Sequence, residues 1–178
     1  MDRLFVAIEI PNNIKEDFAD IIEQLEKIKA KTVPLKNIHL TIKFIGETDK
    51  TKIITENLQK IEFNKFEISL KGIGIFGNFY NPRVFWVGVE ENKSLKNLFN
   101  LVEDTLQKLG IPKDEREFSP HITLARFKTK PNPQKLEEII NNSKKDFGVF
   151  KVESLVLFKS ELSYPNPIYS PLLHIPLK

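Results

Sequence analysis

The pattern of apolar and polar positions divides the chain into alternating strands and helices. Apolar runs of strand length and two-residue alternation predict β-strands at residues 4–8, 38–45, 66–70, 83–89, 120–127, 149–160 and 172–177. Apolar positions three and four residues apart predict amphipathic helices at residues 14–29, 51–61, 94–109 and 133–141. The glycine-rich segment at residues 72–82 is interpreted as a loop or a bulged hairpin. Residues 72–77 within it are interpreted as a turn, because they lack the Lys-Ser/Thr pair and the following helix of a phosphate-binding loop.

The order of these elements indicates how the chain is organised. It runs β-α-β-α-β-β and then α-β-α-β-β, so the second half repeats the first with variations. This order predicts an α+β fold of two pseudo-symmetric lobes, each a mainly antiparallel sheet with helices on one face. No linker-like stretch separates the lobes, so we expect residues 1–178 to form a single two-lobed domain with a groove between the lobes.

Composition narrows the class of protein. With 178 residues and 40% hydrophobic positions, the chain is long enough for a packed core. The formal net charge of +3 permits a polyanionic partner without requiring one. The absence of cysteine excludes disulfides, thiolate zinc sites and cysteine nucleophiles. The first ten residues are too short and too acidic for a signal peptide, and no apolar run reaches membrane-spanning length, so we expect a cytoplasmic protein without a membrane partner.

A four-residue motif that occurs twice supplies the candidate catalytic residues. His-Leu-Thr-Ile at residues 39–42 recurs as His-Ile-Thr-Leu at residues 121–124, 82 positions later, in a chain that has only three histidines. Alternate residues of a strand share a face, so each histidine and its threonine point the same way while the aliphatic residues point into the core. Two histidines that face one cleft are typical of acid–base catalysis at neutral pH. The candidate site residues from this repeat are His39, Thr41, His121 and Thr123.

Structural interpretations compete with each of these functional ones. A single histidine on a strand is more often a satisfied polar residue, but that does not explain a threonine repeated at the same offset. His174 lacks the threonine and is interpreted as structural. A metal site would need a carboxylate or a third histidine at ligand spacing, which neither motif has, so we expect no metal and no cofactor. The lysines at positions 27, 29, 31 and 36 are interpreted as a solvated helix face and loop.

The flanks of the two motifs resemble a known family across nearly the whole chain. The chain resembles the two-histidine phosphoesterases, and among them the RNA 2′,3′-cyclic phosphodiesterases, also called 2′-5′ RNA ligases. The segments that carry this resemblance are residues 3–11, 37–47, 83–89, 118–126 and 167–169. The resemblance implies two lobes of duplicated α+β topology. The flanks also differ from each other, since Lys43 occupies the place of Ala125, which fits two non-equivalent roles.

The resemblance also implies an activity and roles for individual residues. It implies opening of the 2′,3′-cyclic phosphate end of an RNA to a 2′-phosphomonoester, with 2′-5′ joining of RNA as the reverse activity. His39 would donate a proton to the leaving O3′, and His121 would act as the base for water. The hydroxyls of Thr41 and Thr123 and the family's Arg126 would stabilise the negative charge on the non-bridging phosphate oxygens. The implied partner is RNA, with tRNA fragments as one candidate, and we expect a monomer.

Strand geometry and the family resemblance predict different positions for the side chain of Arg126. Regular alternation from His121 would point Arg126 into the core, where an unpaired guanidinium is costly. We therefore predict a bulge or strand break just after Leu124, which would return Arg126 to the phosphate.

Two alternative functions remain open from the sequence. The same chemistry could act on a small cyclic nucleotide. The groove could also belong to a binding module for RNA or nucleotides that has no turnover, although histidine and threonine intact in both motifs speak against that.

Overall fold

The strands of the chain join into one curled antiparallel sheet. The computed structural model describes residues 1–178. The strands are β1 Asp2–Glu9, β2 Lys31–Thr32, β3 His39–Thr48, β4 Phe66–Asn78, β5 Asn81–Val89, β6 His121–Arg126, β7 Asp146–Val152, β8 Ser154–Glu161 and β9 Ile168–Pro176. The helices are α1 Asn12–Glu16, α2 Ala19–Lys27, α3 Thr51–Leu58, α4 Lys93–Gln107 and α5 Pro133–Asn142, with a 3₁₀ turn at Leu35–Asn37. These elements confirm the predicted mainly antiparallel α+β class.

The two histidine strands lie side by side at the centre of the sheet. The strand order is β7-β4-β5-β6-β3-β1-β8-β9, with the short β2 paired to β6. Apart from β2, four strands lie on each side of the boundary between β3 and β6, and these sets are the two lobes. The lobes are not the two halves of the sequence, as the repeated element order suggested. The hairpin β4–β5 comes from the first half and pairs with β6, whereas β8 and β9 come from the second half and complete the lobe of β3.

The helices bury their apolar stripes against one face of the sheet. In α4, Leu95, Leu98, Val102 and Leu106 are fully buried at three- and four-residue spacing. The side chain of Asn92 caps this helix by accepting a hydrogen bond from the Leu95 amide at 2.9 Å. A single cluster of 36 buried residues joins both lobes, so the two histidine strands rest on a shared core. None of the five helices combines the length and apolar character needed to cross a bilayer.

Three predicted elements differ from the structure. The predicted helix over 14–29 is two helices, because a turn at residues 17 and 18 interrupts it. The predicted strand over 149–160 is also divided, since β7 pairs with β4 in one lobe while β8 pairs with β1 in the other. The segment 72–77 is not a turn but the second half of β4, so of the two interpretations of residues 72–82 the bulged hairpin is confirmed, with its turn at Phe79 and Tyr80.

Glycine in this segment makes room for an aromatic side chain. Gly74 pairs with Trp86 of β5, and a Cβ atom at position 74 would overlap the indole ring. The missing side chain therefore lets Trp86 lie flat across β4, on the same face of the sheet as its other neighbour, Thr123.

Candidate active site

The register between β3 and β6 brings the two motifs together. The strands share one bridging pair, Leu40 with Ile122, whose side chains are fully buried. This antiparallel register puts His39 opposite Thr123 and Thr41 opposite His121, all on the face away from the core. The two imidazoles are thus diagonal neighbours, at a separation of about 7–8 Å in a regular antiparallel ladder. A tetrahedral phosphate fits between groups at this spacing.

A β-bulge turns Arg126 toward the same face. Between β5 and β6, Phe85 pairs with Ala125 but Trp86 pairs with Thr123, so Leu124 is an extra residue in β6. Leu124 and Ala125 are consecutive buried residues, and Arg126 after them is exposed. This confirms the predicted break after Leu124 and resolves the conflict between strand alternation and the resemblance.

The first motif contains the same irregularity. Between β1 and β3, Val6 pairs with Lys43 and Ala7 pairs with Thr41, which leaves Ile42 as the extra residue. As a result Phe44 takes the position that Arg126 has in the second motif, five residues after the histidine. Its ring is 61% exposed beside the site. The sequence reasoning missed Phe44 because the bulge in β3 was not predicted.

Backbone carbonyls fix the orientation of both imidazoles. The Nδ1 atom of His39 lies 2.7 Å from the carbonyl oxygen of Asn37, and Nδ1 of His121 lies 2.9 Å from that of Ser119. A carbonyl only accepts hydrogen bonds, so Nδ1 carries the proton in both rings and Nε2 is left for chemistry. The Nε2 atom of His39 lies 2.8 Å from Oγ1 of Thr41. The duplication therefore extends to the residue two positions before each histidine.

Aromatic rings enclose His39 more tightly than His121. The ring centroid of Phe5 lies 4.9 Å from that of His39, and the ring of Tyr169 meets His39 edge-on at a centroid distance of 5.5 Å. This burial lowers the pKa of His39 below its ordinary value. The hydrogen bond to the carbonyl of Asn37 works against this lowering, and the nearby cations, Arg126 among them, add to it.

The neighbours of His121 leave it more accessible. One ring, that of Phe76, meets the imidazole edge-on at 4.9 Å. His121 lines both the cavity of the site and a larger groove on its other side, whereas His39 lines the cavity alone. The two imidazoles therefore have different surroundings, in keeping with two non-equivalent roles.

The five candidate residues from the sequence all line one cavity between the lobes. It has a volume of about 300 Å³, and its wall includes His39, Thr41, His121, Thr123 and Arg126. Further cations come from Lys31 and Lys128, and no carboxylate lines it. Such a surface favours an anionic ligand. Lys31 is therefore part of the cavity wall, whereas Lys27, Lys29 and Lys36 do not line it.

A buried ion pair holds the loop that leads to His121. The Nζ atom of Lys43 lies 2.7 Å from Glu103 and 2.9 Å from Asp114, and it donates to the carbonyl of Pro112 at 3.0 Å. Only 2% of the Lys43 side chain and 4% of the Glu103 side chain are exposed. The contacts tie residues 112–114 to β3 and α4. The difference between Lys43 and Ala125 in the sequence was the one signal of this arrangement.

The third histidine lies outside the cavity, and the acidic residues form no metal site. The side chain of His174 on β9 is 59% exposed, and its Nδ1 atom lies 3.9 Å from Glu9. It lines no wall of the cavity. No three side chains among histidine, cysteine, aspartate and glutamate are grouped so as to hold a metal ion.

The side chains around the cavity define a class of protein. Two opposed imidazoles, two hydroxyls and a guanidinium around one cavity are the groups that a phosphoesterase uses to move protons and to stabilise phosphate charge. The pairing of the two motif strands at the centre of the sheet identifies a two-histidine phosphoesterase.

Comparison with known proteins gives the family. The chain belongs to the 2′-5′ RNA ligase superfamily, whose model matches residues 11–163. It is 40% identical to the RNA 2′,3′-cyclic phosphodiesterase of Methanocaldococcus jannaschii, over 94% of this chain and 96% of that one. It is 37% identical to the protein of the same name in Archaeoglobus fulgidus, over 96% and 97% of the two chains.

Solved structures agree with this assignment. A crystal structure of a Thermus thermophilus protein matches with a TM-score of 0.80 and 28% identity, over 98% of this chain and 97% of that one. Escherichia coli LigT complexed with 3′-AMP matches with a TM-score of 0.77 and 26% identity, over 99% and 98% of the two chains.

Proposed function

We propose that this protein is an RNA 2′,3′-cyclic phosphodiesterase that hydrolyses the cyclic end to a 2′-phosphomonoester without a metal or a cofactor. The observation that carries the proposal is the diagonal pair of imidazoles in a cavity lined by cations. The relatives from Methanocaldococcus jannaschii and Archaeoglobus fulgidus, which carry this name, support the choice of substrate.

The proposed reaction is an in-line displacement at phosphorus. Water attacks on the side of His121, whose Nε2 takes the proton, and the bond from phosphorus to O3′ breaks on the opposite side. Nε2 of His39 gives a proton to O3′, so the product carries a free 3′-hydroxyl and a 2′-phosphate. Each imidazole ends in the protonation state that the other had at the start, and the pair is restored by proton exchange with solvent.

The remaining site residues stabilise the charge on the phosphate. The hydroxyls of Thr41 and Thr123 and the guanidinium of Arg126 are directed at the non-bridging oxygens. Removing one such donor from an enclosed site typically costs about 10²–10³ in rate. The bulge after Leu124 supports this role for Arg126, because it exposes the guanidinium on the histidine face.

The burial of His39 affects the protonation state of its imidazole, which is the proposed general acid. Burial lowers the pKa of His39, so the imidazole is poorly protonated in the free protein. An anionic phosphate in the cavity favours the protonated form and raises the pKa again. Substrate binding thus brings the proton that the leaving O3′ requires.

The cavity matches one nucleotide, and its rim extends beyond it. A volume of about 300 Å³ is at the small end of ligand sites, which leaves a small cyclic nucleotide as the second candidate substrate. The exposed ring of Phe44 offers a stacking surface for a base, and Lys31 and Lys128 offer contacts to phosphates. These features favour an RNA end, for which tRNA fragments are a candidate source.

We also propose that residues 1–178 form one two-lobed domain that works as a monomer. Both catalytic strands belong to one chain, and one core cluster joins the lobes. The compartment that we propose is the cytoplasm.

Hydrolysis of defined substrates tests the proposal. The protein should convert adenosine 2′,3′-cyclic monophosphate and a cyclic-ended oligonucleotide to 2′-phosphates, which chromatography separates from 3′-phosphates. Activity should survive excess EDTA, and kcat/KM should be higher for the oligonucleotide. Higher kcat/KM for the mononucleotide would favour the second candidate. Tight RNA binding without turnover would instead identify a binding module.

A further inference from the structure

Side chains alone hold the segment that leads to His121. Residues 112–120, between α4 and β6, form neither helix nor strand, and none of their backbone groups forms a hydrogen bond with another backbone group. We call this segment the approach loop. It contains Ser119, whose carbonyl accepts the hydrogen bond from Nδ1 of His121. The direction of the imidazole thus depends on the side chains that fix the approach loop.

The segment before His39 is held in a different way. In the 3₁₀ turn that precedes this histidine, the backbone amides of Asn37 and Ile38 donate hydrogen bonds within the turn at 2.8 and 3.1 Å. The side-chain amide of Asn37 also donates to the carbonyl of Pro167 at 3.0 Å. The carbonyl of Asn37, which accepts from His39, is therefore held by the backbone of its own turn. The carbonyl that orients His121 has no such support.

Lys43 fixes the start of the approach loop from the strand of the other motif. Its Nζ atom donates to the carbonyl of Pro112 at 3.0 Å and to Oδ1 of Asp114 at 2.9 Å. Glu103 of α4 lies 2.7 Å from the same Nζ and accepts a hydrogen bond from the Asp114 amide at 2.8 Å. These contacts join β3, α4 and the approach loop. The strand that carries the first histidine thus supports the segment that orients the second.

Two further contacts hold the approach loop to α4. The ring of Phe118, next to Ser119, stacks on Phe99 at a centroid distance of 4.2 Å and an interplanar angle of 4°. Lys113 forms an ion pair with Asp104 at 2.6 Å, but both side chains are about half-exposed, and such a pair contributes little. The start of the approach loop therefore depends mainly on Lys43 and its two carboxylates.

A buried ion pair is a poor way to stabilise a fold, but it fixes geometry. Removing two charges from water costs about as much as their attraction returns, so apolar residues of similar volume often stabilise a core equally well. The ammonium of Lys43, however, directs its hydrogens at acceptors in fixed positions, whereas an apolar contact can slide. Geometry matters here because a general base must lie within hydrogen-bond reach of the proton that it accepts. A displacement of about 1 Å can cost about 10²-fold in rate.

We propose that Lys43 is a positioning residue for His121. Together with Glu103 and Asp114 it fixes the approach loop, and through the carbonyl of Ser119 it directs Nε2 of His121 at the attacking water. Lys43 does not line the cavity, so it acts without touching the substrate. This inference rests on the proposed function, in which His121 is the base. It also accounts for alanine at position 125 of the second motif, because the turn before His39 needs no such support.

The double variant Lys43→Met/Glu103→Leu separates positioning from stability. Both buried charges are removed, so the protein should stay folded, with a Tm close to that of the unmodified protein. Pro112 and Asp114 lose the ammonium, and we expect kcat for a cyclic-ended oligonucleotide to fall about tenfold or more while KM changes little. Full activity of the folded double variant would overturn the inference. So would a rise in KM at constant kcat, since the residues would then serve substrate binding.

A second variant loosens the approach loop while the buried pair stays intact. Asp114→Ala removes one ligand of the Lys43 ammonium at a half-exposed position, and it should lower kcat in the same way but to a smaller extent. The matched control is Asp17→Ala, the same substitution at a half-exposed partner of Lys144 that does not line the cavity. It should leave kcat unchanged. Equal kcat values for these two variants would contradict the inference.

A double-mutant cycle identifies the residue through which Lys43 acts. In a His121→Ala background, Lys43→Met/Glu103→Leu should lower kcat no further, because the base that it positions is gone. In a His39→Ala background the tenfold loss should persist. Equal losses in both backgrounds would overturn the inference and leave the proposed function intact. Absence of hydrolysis by the unmodified protein would overturn the proposed function and the inference with it.

Discussion

Phe44 and Arg126 hold the same position of a duplicated, bulged strand, one after each of the two motif histidines. Each follows its histidine by five residues, and in each strand the residue three after the histidine is the extra one. The same backbone irregularity thus presents an aromatic ring on one side of the cavity and a guanidinium on the other. An aromatic ring can stack on a base and a guanidinium can bind a phosphate, and these are two parts of a nucleotide.

Replacing either catalytic imidazole should reduce turnover without unfolding the protein. We expect His39→Ala and His121→Ala each to lower kcat by roughly two to four powers of ten, as for the loss of a general acid or base. Steady-state assays with a cyclic-ended oligonucleotide measure the effect. His174→Ala is the matched control, because this histidine lies outside the cavity, and it should retain full activity. Near-normal rates in either site variant would refute the mechanism.

The pH dependence should reflect the burial of His39. One imidazole must be neutral and the other protonated, so kcat/KM should be bell-shaped, with limbs that belong to the coupled pair. Burial lowers the pKa of His39, so the free enzyme loses its acid as pH rises through values below about 6.5. Bound phosphate raises this pKa, so the alkaline limb of kcat should lie at higher pH than that of kcat/KM. A monotonic rise through pH 9 would instead indicate attack by hydroxide.

Arg126 should matter for catalysis and little for stability. Arg126→Lys keeps the charge but loses the two-pronged contact with phosphate oxygens, so we expect kcat/KM to fall about tenfold or more while Tm changes little. Thermal unfolding and steady-state kinetics give the two readouts. A variant that unfolds readily but is fully active when folded would make Arg126 a structural residue.

Phe44 should affect substrate binding more than the chemical step. Phe44→Leu keeps an apolar side chain but removes the stacking surface, which is worth about 1–3 kcal/mol per base. We expect KM for a cyclic-ended oligonucleotide to rise about tenfold with little change in kcat or Tm, because the ring is already largely exposed. Tyr80→Leu, at the exposed tip of the β4–β5 hairpin, is the matched control. Equal effects of the two substitutions would argue against stacking.

The buried pair of Lys43 and Glu103 should show strong coupling in unfolding experiments. Glu103→Leu leaves a buried ammonium whose remaining carboxylate partner is half-exposed, and we expect a loss of about 3–5 kcal/mol of unfolding free energy. The double variant Lys43→Met/Glu103→Leu removes both charges and should recover most of that loss. Urea unfolding of both variants tests this. If the double variant is no more stable than the single one, the cost arises from packing and not from charge.

The sequence predicted most of the site and the class of the fold, because both depend on local pattern. Strand alternation placed His39 with Thr41, and the cost of burying Arg126 revealed a bulge. The bulge in β3 was not predicted, because regular alternation from His39 would point Phe44 into the core and an apolar ring there raises no conflict. Tyr169 and Phe76 reach the histidines through pairing between distant strands, which local periodicity does not encode. The composition of the lobes was misjudged for the same reason.

The exchange of strands between the lobes has a consequence for synthesis on the ribosome. β1 keeps one edge unpaired until β8 is synthesised, and β3 keeps one edge unpaired until β6 is synthesised. An apolar strand with an open edge is a template for pairing with other chains during that interval. The arrangement that joins the two histidines into one site therefore also delays completion of the lobe that contains β1 until β8 and β9 have been synthesised.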